Sequence, residues 1–266
     1  MAATVAAVPA SLLPPADAPL TQTFAALLAR TRTGDKPAAA RLYRDLMRCR
    51  NHATRQTSAL YWSNTILAQK PENTSEQELE AAQSRLEQSA EYAALCHGTD
   101  ERQLGQLTPV MLAAARLGVA DARDCYVHRG PRIDLPTLLH HPDYLTVYAR
   151  EAPALIDAAI KAGDWKMVDM LQYAYGNHDS GSLISGLVEQ DPLTQYRYLK
   201  LYRLGAEDRA ATRVDAQLSR ATATLDPAAL IEADAWARQT YDHYFQNSGE
   251  STSVAPQYWD ACGIAP

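Results

Sequence analysis

"AAARLGVADARDCYVHRG", residues 113–130, is an alanine-rich helical stretch that breaks at Gly118, resumes at once, and carries Cys125 and His128 on its second half. It admits two readings: a nucleophile beside a base on a catalytic elbow, or one unit of a stacked helical array. Three other stretches bear on the choice. "FAALLARTRTGDKPAAARLY" breaks at Gly34, "ALIDAAIKAGDWKMVDML" at Gly163 and "YRYLKLYRLGAEDRAATRV" at Gly205. In all four the residue two before the glycine is basic (Arg32, Arg116, Lys161, Arg203), and an aliphatic residue stands six before it (Leu28, Leu112, Leu199) or, in the third, seven before it (Ile156). A cation in the last turn interacts favourably with the negative end of the helix dipole, and glycine takes the left-handed backbone that ends one helix and lets another begin. The expected phrase is helix, glycine turn, helix, four times over.

The intervals between these glycines are 84, 45 and 42 residues, the first close to twice the others, which points to a degenerate unit around residues 60–96. One helix pair cannot cover its own apolar face but stacked pairs can, so a period near 40 predicts a solenoid. Nearly every segment after the N-terminal tail has helical periodicity, while Val, Ile and Phe are too sparse and irregular for alternating strands. Phe24, Leu27 and Leu28 start the first helix, and Leu42, Tyr43 and Leu46 share a face of the second. Ser75 with Glu78 is a capping-box pattern, and Asp191-Pro192 and Asp226-Pro227 each place a capping acid before a proline at the first helical position. Helices are therefore expected to open near residues 75, 192 and 227. The fold class is all-α: a right-handed α-solenoid of about four to five antiparallel helix pairs, closed by a C-terminal capping helix.

The phrases resemble the SEL-like repeat family, a branch of the tetratricopeptide-like helix-pair superfamily. Its pattern "AA..G...A...Y" stands in "AAARLGVADARDCY", Ala113 to Tyr126, and more loosely in "AAIKAGDWKMVDML", Ala158 to Leu171. "LDPAALIEADAWARQTYDHYF", Leu225 to Phe245, is similar to the capping helix that closes the last repeat in that family. The resemblance covers roughly residues 22–247. The family's half-repeat "Y..G.GV..D...A..WY" is not evident, and the cysteine pairs that some exported members carry within each repeat are missing. The resemblance implies a protein-binding adaptor, with some exported relatives acting as immunity partners of secreted toxins.

With 266 residues, 47% of them hydrophobic, the chain can bury a sizeable core. Its net charge of −6 is spread along the sequence, so no basic footprint of a nucleic-acid binder exists. No apolar run approaches the roughly 20 residues that cross a bilayer, which excludes a transmembrane segment from the expectation. Residues 1–20, "MAATVAAVPASLLPPADAPL", are Ala- and Pro-rich and lack the charged and apolar regions of a secretory signal, yet they look like the mature end that a cleaved signal leaves behind. The expected layout is a flexible tail over 1–20, a single helical-repeat domain over 21–247 and a C-terminal tail over 248–266. A periplasmic or secreted location is expected on this reading, and an even count of cysteines fits it. Cys49 with Cys96, both read as lying at helix ends, and Cys125 with Cys262, tying the tail to the body, are one of three possible connectivities.

Three groups invite a chemical reading. Cys125 beside Tyr126 and His128 sits at a small-residue position of a repeat unit rather than in the electropositive setting a thiolate needs. His178, Asp179 and Ser180 are consecutive in "GNHDSGS", so their side chains diverge where a triad must converge. His140, His141 and Asp143 in "LLHHPDY" lack the i, i+4 spacing that aims two ligands at one zinc. No catalytic residue, metal site or cofactor is assigned. Tyrosine is the unusual aromatic, 14 residues against two phenylalanines. Tyr173, Tyr175, Tyr198 and Tyr202, together with His178, are the candidate partner-binding residues, because tyrosine combines apolar area with a hydroxyl suited to a wet interface. The expected function is a non-enzymatic scaffold in the cell envelope that binds a protein or peptide on its concave face. An immunity or inhibitor protein against a secreted toxin, and a hydrolase of envelope polymers, stand as alternatives.

Overall fold

The computed structural model describes residues 13–68, 75–176, 182–248 and 262. The described residues are helical or irregular, with no strand among them. The chain divides into two compact units, Met1–Val110 and Met111–Pro266.

In the first unit, α1 (Leu20–Arg32) packs on α2 (Lys36–Leu67), α2 packs on α3 (Glu76–Leu95), and a single turn, α4 (Glu101–Leu104), comes next. Leu42, Tyr43 and Leu46 line the buried face of α2, and Leu20 and Leu27 that of α1. Asp35 caps α2 by accepting the Ala38 amide at 3.0 Å and is held by Arg30 at 2.6 Å. After Pro37 no glycine or proline interrupts α2, so it runs for 32 residues. This corrects the reading of Cys49 as a helix terminus: Cys49 lies mid-helix and bonds to Cys96, the C-cap residue of α3, with their Cα atoms 5.3 Å apart. The capping box opens α3 as expected, Ser75 and Glu78 each satisfying an amide of the other.

The helix α5 (Leu107–Arg116) crosses the division between the units. The second unit continues with α6 (Ala120–Arg129), α7 (Leu135–His140), α8 (Asp143–Lys161), α9 (Trp165–Ala174), α10 (Pro192–Gly205), α11 (Asp208–Thr222) and α12 (Pro227–Thr240). Within it α8 packs on α6 and α9, and α10 packs on α9, α11 and α12. Asp191 and Asp226 cap α10 and α12, each accepting two amides at the helix start.

Three of the four glycines end their helices in one way. Gly34, Gly118 and Gly163 hold φ of 87°, 78° and 74°. The amide after each donates to the carbonyl five residues back: Asp35 to Arg30 at 3.1 Å, Val119 to Ala114 at 3.0 Å, Asp164 to Ala159 at 3.1 Å. These are Schellman turns, which the left-handed glycine permits without a Cβ penalty. Gly205 departs from the expectation, because it is the last residue of α10 and its φ is not positive. The reason is steric. A Cβ there would fall 2.4 Å from Cζ2 of Trp165, so glycine is what lets α10 close on that indole.

Trp165 is 4% exposed and organises the core of this unit. Its ring meets Phe245 at 4.4 Å between centroids, and Tyr202 and Tyr241 at 6.2 Å each. Phe245 ends a π-helical turn, Tyr241–Phe245, that prolongs α12. The same turn passes over the α8–α9 junction so closely that a Cβ on Gly163 would lie 2.5 Å from the Tyr244 carbonyl oxygen.

Alanine substitution separates these roles in urea unfolding. Gly98 has φ of 74° but only an ordinary 3.6 Å neighbour, so Gly98→Ala costs about 1 kcal/mol of backbone strain. Gly163→Ala adds a backbone collision and costs about 3 kcal/mol, while Gly205→Ala, unstrained but overpacked against Trp165, costs about 2 kcal/mol. Equal losses at 98 and 163 would refute the close approach at Gly163.

Candidate functional site

Cys125 is buried on α6 and bonded to Cys262, so it presents no thiol. Tyr126 beside it is buried and packs at 5.6 Å on Tyr148, whose hydroxyl donates to the Val127 carbonyl at 2.7 Å. These are packing roles. His141 caps the C-terminus of α7 and stacks on Tyr144 at 5.2 Å, while exposed His140 and Asp143 end α7 and begin α8. Among the described residues no three His, Cys, Asp or Glu side chains converge on a point that could hold a metal ion. His178, Asp179 and Ser180 lie outside the described residues.

A second buried group sits beside Cys125. Arg123 of α6 pairs with Asp164, the N-cap of α9, and its Nε reaches Asp124 at 3.4 Å. Asp164 also accepts the Lys166 and Met167 amides at 3.0 and 3.2 Å, so one carboxylate both starts α9 and ties it to α6. All three side chains are under a tenth exposed. Burial, reinforced by the neighbouring Asp164 charge, pushes the Asp124 carboxyl up to about 8. One cation thus serves two carboxyls of which one stays protonated at neutral pH, an arrangement that costs less than burying two anions. The cluster is enclosed and structural.

The candidate tyrosines fall into two groups. Tyr202 is 3% exposed, held in the core against Trp165, and burial with the Asp169 charge pushes its hydroxyl up to about 12. Tyr173 is half-buried and its hydroxyl accepts from Nη1 of Arg213 at 3.2 Å. That guanidinium lies 3.8 Å from Asp169, whose carboxyl is raised by burial and accepts from Gln172 at 2.9 Å. Tyr202 therefore belongs to the core packing, while half-buried Tyr173 is tied to α11 through Arg213.

Tyr175 and Tyr198 behave differently. Tyr175 is the C-cap residue of α9, Tyr198 lies on α10, and their rings run nearly parallel, 14° apart with centroids at 5.8 Å. Trp236 of α12 meets Tyr198 edge-on at 5.4 Å. The result is a row of three half-buried aromatic rings crossing the end of α9, α10 and α12. Asp157 of α8 is close enough for its charge to act on the Tyr198 hydroxyl, which burial has already pushed up to about 12, and Asp191 acts likewise on Tyr175, also raised by burial. Both hydroxyls therefore stay protonated at physiological pH, able to donate and to accept. Trp236 is absent from the residues that the sequence singles out. Its signal is its offset by one residue from Ala237 and by three from Ala233, the small residues that α12 buries.

No family model, curated protein or solved structure matches the chain, so its own geometry carries the functional reading. That geometry defines an all-helical protein with two disulfides and an aromatic row on its second unit. No helix of the described residues is long and apolar enough to cross a membrane.

The Asp124 assignment has a pH signature. Because its folded-state value lies above that of an ordinary aspartate, the buried neutral carboxyl contributes stability that is whole below about pH 4 and is lost as pH rises through about 8. Chemical denaturation between pH 5 and 8 should show wild-type stability falling by about 2–3 kcal/mol relative to Asp124→Asn, which keeps a neutral side chain at every pH. A constant difference between the two proteins would refute the assignment.

Proposed function

We propose that this chain is a non-enzymatic protein-binding scaffold that works in the periplasm or outside the cell, its helix pairs stacked as a short solenoid of the SEL-like type. The observation that carries the reading is the row Tyr175, Tyr198 and Trp236, three half-buried rings contributed by three elements of the second unit. Partly exposed Tyr and Trp rings offer large, rigid contact area at little entropic cost, which is why such residues dominate binding hot spots. The packing of α10 on α9, α11 and α12 supports the stacked-pair arrangement, since a central helix touching both neighbours is what repetition of a pair produces. The cystine pairs Cys49–Cys96 and Cys125–Cys262 support an oxidising compartment.

The test is affinity capture with the full chain from the extracytoplasmic fraction of its host, quantified by mass spectrometry. A stoichiometric partner is expected with wild type and with Tyr61→Ala, which removes an exposed ring on α2. The same partner should be depleted about tenfold or more with Trp236→Ala, the loss typical of a hot-spot ring. Retention of that partner by Trp236→Ala, with the fold intact by circular dichroism, would end the assignment of this face.

A further inference from the structure

A groove of about 610 Å³ lies in the first unit, apart from the aromatic row. Along one side α1 supplies Thr21, Phe24, Leu28 and Arg32, a single helical stripe about 16 Å long. Across from it stand Asp100, Arg102 and Gln103, on α4 and its cap, and Gln106 just beyond. The row that α1 buries is Leu20, Thr23, Leu27 and Thr31, so Phe24 and Leu28 form a second, half-exposed apolar row leading to Arg32. The carboxylates nearby have cations of their own: Asp35 is held by Arg30 at 2.6 Å and Glu101 by Arg50 at 2.9 Å. Asp100 accepts the Gln103 amide at 2.8 Å and lies 3.7 Å from Arg102, whereas Arg32 has no ion pair among the described residues. The helix dipole accounts for a cation at position 32 but not for the apolar row beside it. Two arginines face one carboxylate here, in a chain whose net charge is −6, so the groove suits an anion with an apolar body.

Size and spacing select its form. A helix 10 Å across and 16 Å long occupies roughly 1,300 Å³, more than twice the groove, and would stand mostly outside it. An extended chain is thinner, and its residues i, i+2 and i+4 line one face at intervals of about 6.6 Å. Phe24, Leu28 and Arg32 follow one another at about 6 Å along α1, which is nearly the same interval. The carboxamides of Gln103 and Gln106 both donate and accept, as the alternating N–H and C=O groups of an extended chain require, while those of a helix are bonded within it. We propose that this groove takes an extended peptide segment of a partner protein that carries two aliphatic residues and an acidic one at alternate positions. The aliphatic pair lies on Phe24 and Leu28, and the carboxylate pairs with Arg32.

Fluorescence anisotropy with the full disulfide-bonded chain tests this, using the labelled, end-blocked peptide Gly-Leu-Ser-Leu-Ser-Glu-Gly. Three further probes replace its Glu by Gln, replace it by Lys, or set the same two Leu and Glu four residues apart in an alanine-based helix. The Glu peptide should saturate below about 1 mM and bind at least about fivefold tighter than the Gln peptide, an advantage that shrinks as salt is raised. Arg32→Glu should weaken the Glu peptide by at least about tenfold and make the Lys peptide the tighter of the two, a reversal that a merely misfolded variant would not give. Trp236→Ala should bind the Glu peptide as wild type does, because the aromatic row is a separate site. No saturation below about 1 mM, equal affinity for the Glu and Gln peptides, or no reversal in Arg32→Glu overturns the proposal. Tighter binding of the helical peptide overturns the extended form, and a loss with Trp236→Ala overturns the placement in this groove.

Discussion

The second unit is arranged around one bulky ring. Trp165 stands immediately after the Gly163–Asp164 turn, and its indole must be housed where α9, α10 and the π-helical turn after α12 meet. A ring of that size is accommodated only if the surrounding backbone comes close without side chains in the way. Glycine at 205 opens the approach of α10, and glycine at 163 opens the approach of the Tyr241–Phe245 turn. Two glycines that look alike in the sequence thus do different work for one neighbourhood: the first of them along the chain also supplies a left-handed turn, the second only room.

Fixing Trp165 fixes the charges and the face around it. Because α9 must begin at the indole, Asp164 is placed to cap it, and the unused part of that carboxylate reaches Arg123 across to α6. Burying Arg123 with two carboxyls is tolerable only with one of them protonated, so the raised Asp124 is a consequence of where α9 starts. On the opposite side, Leu199 and Tyr202 join the indole cluster, which turns Tyr198 to the edge of the packed seam beside Trp236. The aromatic row is a geometric consequence of how α10 is rotated into the core.

Features that depend on neighbours within a few residues are legible in the sequence. The capping box at Ser75, the capping acids at 191 and 226 and the Schellman glycines at 34, 118 and 163 are all local chemistry, and each is visible as spacing. Gly205 shares the same local spacing but answers to Trp165, forty residues away in the chain, so no window around it could reveal the reason. The full length of α2 is hidden when Cys49 is read as a boundary, although nothing between Arg50 and Leu67 stops a helix. The tyrosines divide in a way that periodicity does not foresee, since whether a ring ends beside Arg213 or at a surface is set by the neighbouring helix.

That division also favours the row as a site over leftover packing. With 14 tyrosines and two phenylalanines the chain uses tyrosine inside its core, and there the hydroxyls are placed. Tyr148 donates to the Val127 carbonyl, Tyr196 donates to Asp234 at 2.9 Å, and Tyr173 accepts from Arg213. A hydroxyl withdrawn from water is satisfied in each, as the cost of an unmet polar group requires. Tyr175 and Tyr198 are instead placed ring against ring, and Tyr198 meets a third ring, Trp236. Phenylalanine would pack as well at those positions if packing were the whole requirement. On the proposed binding reading, the row supplies partly exposed ring area for contact with something outside the chain.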